Sequence, residues 1–216
     1  MQSVSPQYEA EEKITVNGNV DLYAVVFNRT TETDLTEDQL PQVDIYKYKQ
    51  VIFVGDSRTE FMENVLTGMG ESATKNVKFV CSAGKGLDWF TTTGWAQLYS
   101  IVQHDSNSIL SKKTAVIFNF GVNDLSKSAD YAEYYNWIAP QLKSKGCELY
   151  FMSVNPVNRL MLPNAGRADR SEAAVRSFNQ YMKVNLSSAY TYIDMYSYLK
   201  STGYSFASDH YGTGTV

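Results

Sequence analysis

VIFVGDSRTEFM (residues 51–62) joins an apolar run to a segment whose apolar residues fall at helical spacing. The run Val51–Val54 has the length and the continuous apolar character of a buried strand. A Gly-Asp-Ser turn at residues 55–57 ends the run, and Arg58–Met69 continues with apolar residues three and four positions apart. This stretch therefore predicts a buried strand that passes directly into a helix.

The same alternation of strand and helix patterns recurs through the rest of the chain. Further apolar runs of strand length lie at Val77–Cys81, Ala115–Phe120, Glu148–Val154 and Tyr190–Ile193. Helical spacing occurs between them at Gly94–Gln103, Tyr131–Lys145 and Ala173–Val184. Short apolar strands separated by helices form βαβ units, which place the strands in a parallel sheet with helices on both faces. We expect one α/β domain, a three-layer α/β/α sandwich, over residues 46–216.

Residues 1–45 carry a different pattern, which begins with a polar, acidic tail. Two apolar runs, Ile14–Val16 and Val20–Phe27, flank an Asn-Gly-Asn sequence at residues 17–19. Asn and Gly tolerate the positive φ that tight hairpin turns require. An acidic connection follows at residues 29–44. The sequence thus predicts an N-terminal β-hairpin extension outside the main domain.

Composition and charge exclude several classes of partner. The 216 residues include 19 Lys and Arg against 23 Asp and Glu, a net charge of −4, without a basic run that would bind nucleic acid. The two cysteines, Cys81 and Cys147, form no motif at zinc spacing and cannot build a disulfide framework. No apolar stretch approaches the roughly 18 residues of a membrane span. The first residues lack the features of a signal peptide, so we expect an exported form to have lost its signal.

Polar residues and glycines follow four of the predicted strands. These segments are Gly55-Asp56-Ser57-Arg58, Ser82-Ala83-Gly84-Lys85-Gly86, Gly121-Val122-Asn123-Asp124 and Asn155-Pro156-Val157. Ligands of open parallel sheets bind beyond the carboxyl ends of the strands. We therefore expect the four segments to converge on one edge of the sheet, and we expect the functional site there.

Ser57 opens the helix that follows the first strand. Backbone N–H groups and the helix dipole favour negative charge at such a position, which makes the hydroxyl a candidate nucleophile. Asp and Ser are also ordinary N-caps, and a Gly-Asp-Ser turn by itself is more often a cap than a catalyst. His104 and His210 are the only histidines in the sequence, so an imidazole base would have to be one of these two.

From residue 50 onward the chain resembles the SGNH (GDSL-type) hydrolase family. The family's motifs occur here in order: GDS at 55–57, a glycine after the second strand, GVND at 121–124, and a histidine near the C-terminus. The motif sequences of this chain are similar to those of a bacterial branch of that family. They are VGDSRT, SAGKGLDW, NFGVNDL, SVNPV and HY. The resemblance implies an acyl ester hydrolase on a flavodoxin-like sheet, with no metal and no organic cofactor. It also favours an extracellular or cell-envelope location.

An ester hydrolase must activate a hydroxyl, stabilise a tetrahedral oxyanion and protonate a leaving alkoxide. By the resemblance, Ser57 would be the nucleophile and His210 the base and later the acid. The oxyanion donors would be the backbone N–H of Ser57, the N–H of Gly86 and the side-chain amide of Asn123. Gly84 is the alternative glycine. The implied substrate is a small-molecule or polysaccharide ester that carries a small acyl group, in particular acetyl.

The third member of the catalytic triad departs from the family pattern. The family usually places an Asp three residues before the histidine, but position 207 is Ala. The nearest carboxylate is Asp209, and adjacent side chains diverge in extended backbone. We therefore expect Asp209 to contribute less to catalysis than a usual triad aspartate. The family also continues into a C-terminal helix after the histidine, whereas this chain ends at Val216.

Several residues at the predicted edge have two interpretations. Arg58 either orients an acidic substrate or is an exposed first-turn arginine. Asn155 either contacts the substrate or, with Pro156, terminates a strand. Asn123 and Asp124 alone would indicate a turn or a helix cap, but together with the GDS motif they favour a catalytic site. Two other functions stay open: a catalytically impaired member that binds glycans or partners, and a flavodoxin-like cofactor binder.

Overall fold

The computed structural model describes residues 48–68, 70, 75–105, 113–157 and 170–201. Its centre is a sheet of five strands that are all parallel. In chain order the strands are β1 (Gln50–Gly55), β2 (Val77–Cys81), β3 (Thr114–Asn119), β4 (Cys147–Met152) and β5 (Tyr190–Ile193). Across the sheet the order is β2-β1-β3-β4-β5.

Helices lie between the strands along the chain. They are α1 (Ser57–Gly68), α2 (Leu87–Trp89), α3 (Trp95–Asp105), α4 (Ser128–Ser144), α5 (Glu172–Asn185) and α6 (Met195–Ser201). A π-helical turn, Phe90–Gly94, joins α2 to α3, and a 3₁₀ turn, Leu125–Lys127, precedes α4. Within the described ranges, no helix is both long enough and apolar enough to cross a membrane.

Alternate side chains of each strand form two apolar layers, because successive residues of a strand point to opposite faces. The larger layer includes Val54, Phe118 and Phe151 and packs against buried side chains of α3, α4 and α5. The smaller layer contains Val51, Ala115, Ile117 and Ile193. On this second face α1 approaches β3, where Asn119 Nδ2 donates to Thr59 Oγ1 over 3.3 Å. Helices on both faces of a parallel sheet confirm the predicted α/β/α sandwich.

The strands β1, β2 and β3 end at the same height in the sheet. Gly55 of β1 pairs with Cys81 of β2 on one side and with Asn119 of β3 on the other. Because β1 lies between its two successors, the connections that leave β1 and β2 diverge toward opposite edges of the sheet. A cleft opens at such a switch point, and it is the usual ligand position in this architecture.

The five predicted strands are all present, with ends that differ by at most two residues from the expected ones. The predicted helix Gly94–Gln103 begins earlier, because α2 and the π-helical turn precede it. A Cβ at Gly94 would lie 2.8 Å from ring atoms of both Phe90 and Trp89. This glycine therefore permits close packing inside a helical segment and does not start one.

The N-terminal hairpin predicted for Ile14–Phe27 and the acidic connection at residues 29–44 lie outside the described residues. The division of the chain near residue 45 stays a prediction. Helix α6 has no counterpart among the predicted helices.

Candidate active site

Ser57 is the first residue of α1, and Asp56 caps that helix. The Asp56 backbone carbonyl accepts the N–H groups of Thr59 and Glu60 at 3.0 and 3.1 Å. Its carboxylate accepts the N–H of Arg58 at 3.1 Å. The N–H groups of a first helical turn have no carbonyl partner within the helix, so an N-cap normally satisfies some of them. Asp56 is therefore the cap, and half-buried Ser57 is not needed for that purpose.

Asp56 and Arg58 form a buried ion pair beside Ser57. Arg58 Nε and Nη2 donate to the two carboxylate oxygens of Asp56 at 3.0 and 2.9 Å. The Asp56 side chain is fully buried, and that of Arg58 is 8% exposed. The Asp56 carboxylate thus pairs with a guanidinium and accepts a backbone N–H, which leaves it poorly placed to act as a nucleophile.

The exposed-arginine interpretation of Arg58 is wrong, because the pairing with Asp56 and the adjacent sheet edge bury the guanidinium. Nη2 also donates to the backbone carbonyl of Asn119 at 3.0 Å, which ties α1 to the end of β3. Nη1 is buried and has no hydrogen-bond partner in the described part of the chain. A substrate contact by Arg58 therefore stays a prediction.

Gly55 is required by the close approach of α1 to β1 and β3. A Cβ at this position would stand 2.0 Å from Thr59 Oγ1 and 2.7 Å from the carbonyl oxygen of Asn119. Any larger residue would push the first turn of α1 away from the sheet. The glycine of the GDS motif thus sets the position of Ser57 relative to the neighbouring strand end.

The loop after β2 contains both candidate oxyanion glycines. Gly84 has φ of +69°, and a Cβ there would meet open space. Gly86 is the N-cap of α2, and a Cβ there would stand 2.2 Å from Asp124 Oδ2. Gly86 therefore touches the GVND segment, whereas no contact of this kind is found at Gly84. This placement favours Gly86, although its role as an oxyanion donor stays a prediction.

Asn123 lies in a tight turn after β3. The turn closes through the N–H of Asp124, which donates to the carbonyl of Gly121 at 3.2 Å. Gly121 has φ of +124°, and Phe178 and Val154 leave no space for a Cβ. The turn interpretation of this segment is correct as geometry, and it does not exclude a further role for the Asn123 side chain.

Both ends of the Asn123 amide have partners. Nδ2 donates to the carbonyl of Lys85 at 2.7 Å, in the loop between the two candidate glycines. Oδ1 accepts from Arg170 Nη2 at 2.6 Å. A side-chain amide has two N–H groups, so the bond to Lys85 uses one of them and a second donor is left. The half-buried Asn123 side chain thus joins the loops after β2 and β3.

Asp124 supports the same loop from the other side. Its Oδ2 accepts the N–H of Leu87 at 2.8 Å, and its Oδ1 accepts the hydroxyl of Tyr131 at 2.7 Å. Burial raises the pKa of the Asp124 carboxyl above its usual range, against the lowering effect of these two donors. Asp124 therefore holds the start of α2, and with it Gly86, against the GVND turn.

The structure brings together three of the segments that the sequence singled out. Arg58 links α1 to the end of β3, and Asn123 links the loop after β3 to the loop after β2. Asn155 lies beyond the carboxyl end of β4 and is half-buried. Its substrate role stays a prediction. His210 and Asp209 lie outside the described residues, so their placement relative to Ser57 stays a prediction as well.

Arg170 is the site residue that the sequence analysis did not find. It is 5% exposed and directly precedes Ser171, whose hydroxyl caps α5 by accepting the N–H of Ala174 at 3.0 Å. The capping serine could have indicated a helix start, but no local pattern connects Arg170 to Asn123, 47 positions earlier in the chain. In the described ranges, no group of three His, Cys, Asp or Glu residues could hold a metal ion.

Cys81 ends β2 close to acidic side chains of α1. Its thiol donates to Glu63 Oε2 at 3.2 Å. Burial, the bond to Glu63 and nearby carboxylates together raise the pKa of Cys81 to about 12. The thiol is therefore protonated at neutral pH, which makes it a poor nucleophile.

Comparisons with known proteins give only distant similarity. No family model matches the sequence. No curated protein matches it either. Among solved structures, the crystal structure of TesA aligns with 61% of this chain and 69% of its own, at 15% identity and a TM-score of 0.36. Protein YXIM of Bacillus subtilis aligns with 72% of this chain at 15% identity and a TM-score of 0.43.

The aligned part of this chain spans about half, 47%, of the YXIM chain. Both alignments have low identity and a low TM-score.

Proposed function

We propose that this protein is a serine ester hydrolase that removes small acyl groups, in particular acetyl, from a carbohydrate or cell-envelope polymer. The observation that supports this most directly is the position of Ser57 at a capped helix N-terminus. Asp56 accepts the next three N–H groups of α1, while the Ser57 N–H belongs to the helix end where an oxyanion is favoured. Asn123 follows the neighbouring strand and offers a neutral donor.

The proposed reaction proceeds by acyl transfer through Ser57. His210 takes the hydroxyl proton while Oγ attacks the acyl carbonyl, and the negative charge moves to the carbonyl oxygen. The N–H groups of Ser57 and Gly86 and the amide of Asn123 would stabilise that oxygen. The tetrahedral intermediate then expels the alcohol, which receives the proton from His210. Water, deprotonated by His210, attacks the acyl-enzyme and releases the carboxylic acid and free Ser57.

Hydrolysis of p-nitrophenyl acetate by the purified full chain tests the reaction class. Ser57→Ala should abolish turnover above the background rate. Ser82→Ala is the matched control, because this serine also follows a strand at the same edge, and it should keep its activity. Turnover that survives Ser57→Ala would contradict the proposed nucleophile. Activity should also be unchanged by EDTA, since the proposed mechanism uses no metal.

Substrate class requires a second experiment. A series of p-nitrophenyl esters with acyl chains of two to eight carbons, as probe lengths, should show the highest kcat/KM for acetate. Acetate release from an O-acetylated polysaccharide, before and after chemical deacetylation, tests the acceptor. Faster turnover of the longer acyl chains would contradict the proposed preference for acetyl.

One sequence observation favours a second candidate function. Ala207 stands where the resembled family carries the triad aspartate, which is expected in a catalytically impaired member that binds glycans in the same cleft. Such a protein would bind an acetylated polysaccharide without releasing acetate. Equal rates for the unmodified chain and Ser57→Ala, together with measurable polysaccharide binding, would favour this alternative.

A further inference from the structure

We propose that Arg170 is a positioning residue for the oxyanion hole and that it acts by fixing the orientation of the Asn123 side-chain amide. This inference rests on the proposed function. It concerns a residue just before α5, outside the GDS and GVND motifs, that is 95% buried against the turn after β3. Its guanidinium bonds to Asn123 Oδ1 over 2.6 Å.

The two partners of Asn123 allow only one orientation of its amide. A guanidinium has donors and no acceptor, so the amide atom that faces Arg170 must be the oxygen. A backbone carbonyl has only an acceptor, so the amide atom that faces Lys85 must be the nitrogen. Rotation of the amide by 180° would place nitrogen against the guanidinium and oxygen against the carbonyl. Both contacts would then be repulsive.

This orientation determines which hydrogen-bond donor the Asn123 side chain offers to the substrate. The carbonyl of Lys85 holds one N–H of Nδ2. Because the amide group is planar, the direction of the second N–H of the same nitrogen is then fixed as well. An oxyanion requires donors that are already in place before charge develops, because reorganisation during the reaction costs rate. Arg170 supplies this preorganisation from the oxygen end of the amide.

The positive charge of Arg170 adds a second effect. A hydrogen bond from a charged donor to the amide oxygen is stronger than a neutral one and polarises the amide. Polarisation makes the N–H groups of Asn123 better donors. The effect should be largest when negative charge accumulates in the transition state, so it should appear in kcat and not in KM.

Kinetics of five variants on p-nitrophenyl acetate, the single variant Asn123→Ala among them, test the functional part. Arg170→Met should lower kcat about 10- to 100-fold with KM nearly unchanged, since a small misplacement of a catalytic group costs up to about 100-fold. Arg170→Lys should recover part of this loss because a charged donor returns. In the Asn123→Ala background, Arg170→Met should change kcat by less than about twofold. Arg176→Met, which removes an exposed arginine of α5, is the charge-matched control and should leave kcat unchanged.

A measurement without substrate tests the structural part. In a ¹H–¹⁵N spectrum, the side-chain amide pair of Asn123 is assigned by its loss in Asn123→Ala. Arg170→Met should shift or broaden this pair, whereas Arg176→Met and Ser57→Ala should leave it in place. This readout stays valid even if Ser57→Ala shows that the proposed function is wrong.

Two results would overturn the inference. The first is an equal loss of kcat from Arg170→Met in the original chain and in the Asn123→Ala background, because Arg170 would then act independently of Asn123. The second is an unshifted Asn123 amide pair in Arg170→Met. If thermal unfolding shows that Arg170→Met does not fold, Arg170→Lys and Arg170→Gln replace it in the kinetic comparison and in the ¹H–¹⁵N comparison.

Discussion

Gly86 lies directly against the carboxylate of Asp124, and the contact is so close that a Cβ on Gly86 would stand 2.2 Å from Oδ2 and 2.9 Å from Oδ1. The same carboxylate accepts the N–H of Leu87, the residue that follows Gly86. The loop after β2 therefore depends on a residue of the GVND turn both for its shape and for a backbone hydrogen bond. The absence of a side chain at position 86 makes this arrangement possible.

Gly86→Ala is expected to damage activity more than Gly84→Ala. The new methyl group must displace Asp124, which would cost about 1–3 kcal/mol of stability, as overpacking usually does, and would move the proposed oxyanion donor. We expect kcat on p-nitrophenyl acetate to fall at least about 10-fold. Gly84→Ala meets open space and carries only the strain of its positive φ, about 1–2 kcal/mol.

Unfolding temperatures and kcat of both variants, measured side by side, separate stability from catalysis. If Gly84→Ala loses kcat and Gly86→Ala keeps it, then Gly84 is the oxyanion glycine and the assignment to Gly86 is wrong.

Ser57 is expected to be the only serine that reacts with a fluorophosphonate probe. Its position at the N-terminus of α1 favours the polar phosphoryl oxygen of the adduct, which takes the place of the oxyanion of the tetrahedral intermediate. Intact mass should increase by a single adduct, and peptide mapping should locate it at Ser57. Ser82→Ala should label normally and Ser57→Ala should not label at all. An adduct on Ser57→Ala would refute the assignment.

His210 and Asp209 are expected to differ in importance. His210→Ala should abolish turnover, because the proposed mechanism has this imidazole take the Ser57 proton. Asp209→Asn should lose much less than the roughly 10⁴-fold seen when a triad aspartate becomes asparagine, since an adjacent carboxylate is poorly placed to hold the imidazole. The measurement is kcat of both variants on one ester, with circular dichroism as the control for folding. Equal losses in two folded variants would show that Asp209 is a full triad member.

Cys81 is expected to alkylate slowly at pH 8 despite its place at the functional edge. With a pKa of about 12, only about 10⁻⁴ of the thiol is ionised at that pH, and the thiolate is the reactive form. The rate with iodoacetamide should therefore rise with pH up to about 12, the region in which the raised pKa places the titration.

Glu63→Gln should increase the alkylation rate of Cys81 at pH 8, because the carboxylate that accepts the thiol hydrogen is lost and the pKa falls. Glu133→Gln, on the exposed side of α4, is the control and should not change the rate. Peptide mapping distinguishes Cys81 from buried Cys147. A rate that levels off near pH 9 would show an ordinary thiol instead.

The sequence determined the features that depend on neighbouring residues. The run Val51–Val54 and the helical spacing after it are local patterns, and they led to β1 and α1 within one residue of their observed limits. The alternation of such patterns is sufficient to predict the parallel sheet and the edge at which Gly86 and Asp124 lie in contact. Periodicity and turn chemistry act over a few residues, so a single sequence contains them.

Only the tertiary structure decided which side chains contact one another across the site. In the sequence, Arg58 is indistinguishable from an ordinary first-turn arginine. In the structure, β3 places the carbonyl of Asn119, 61 positions later, beside it. Arg170 and Asn123 are 47 positions apart, and Lys85 is 38 positions before Asn123. These contacts depend on the order of the strands in the sheet and on the loop shapes that follow from it. Local pattern does not specify that order, because several arrangements of the same strands bury the same apolar residues.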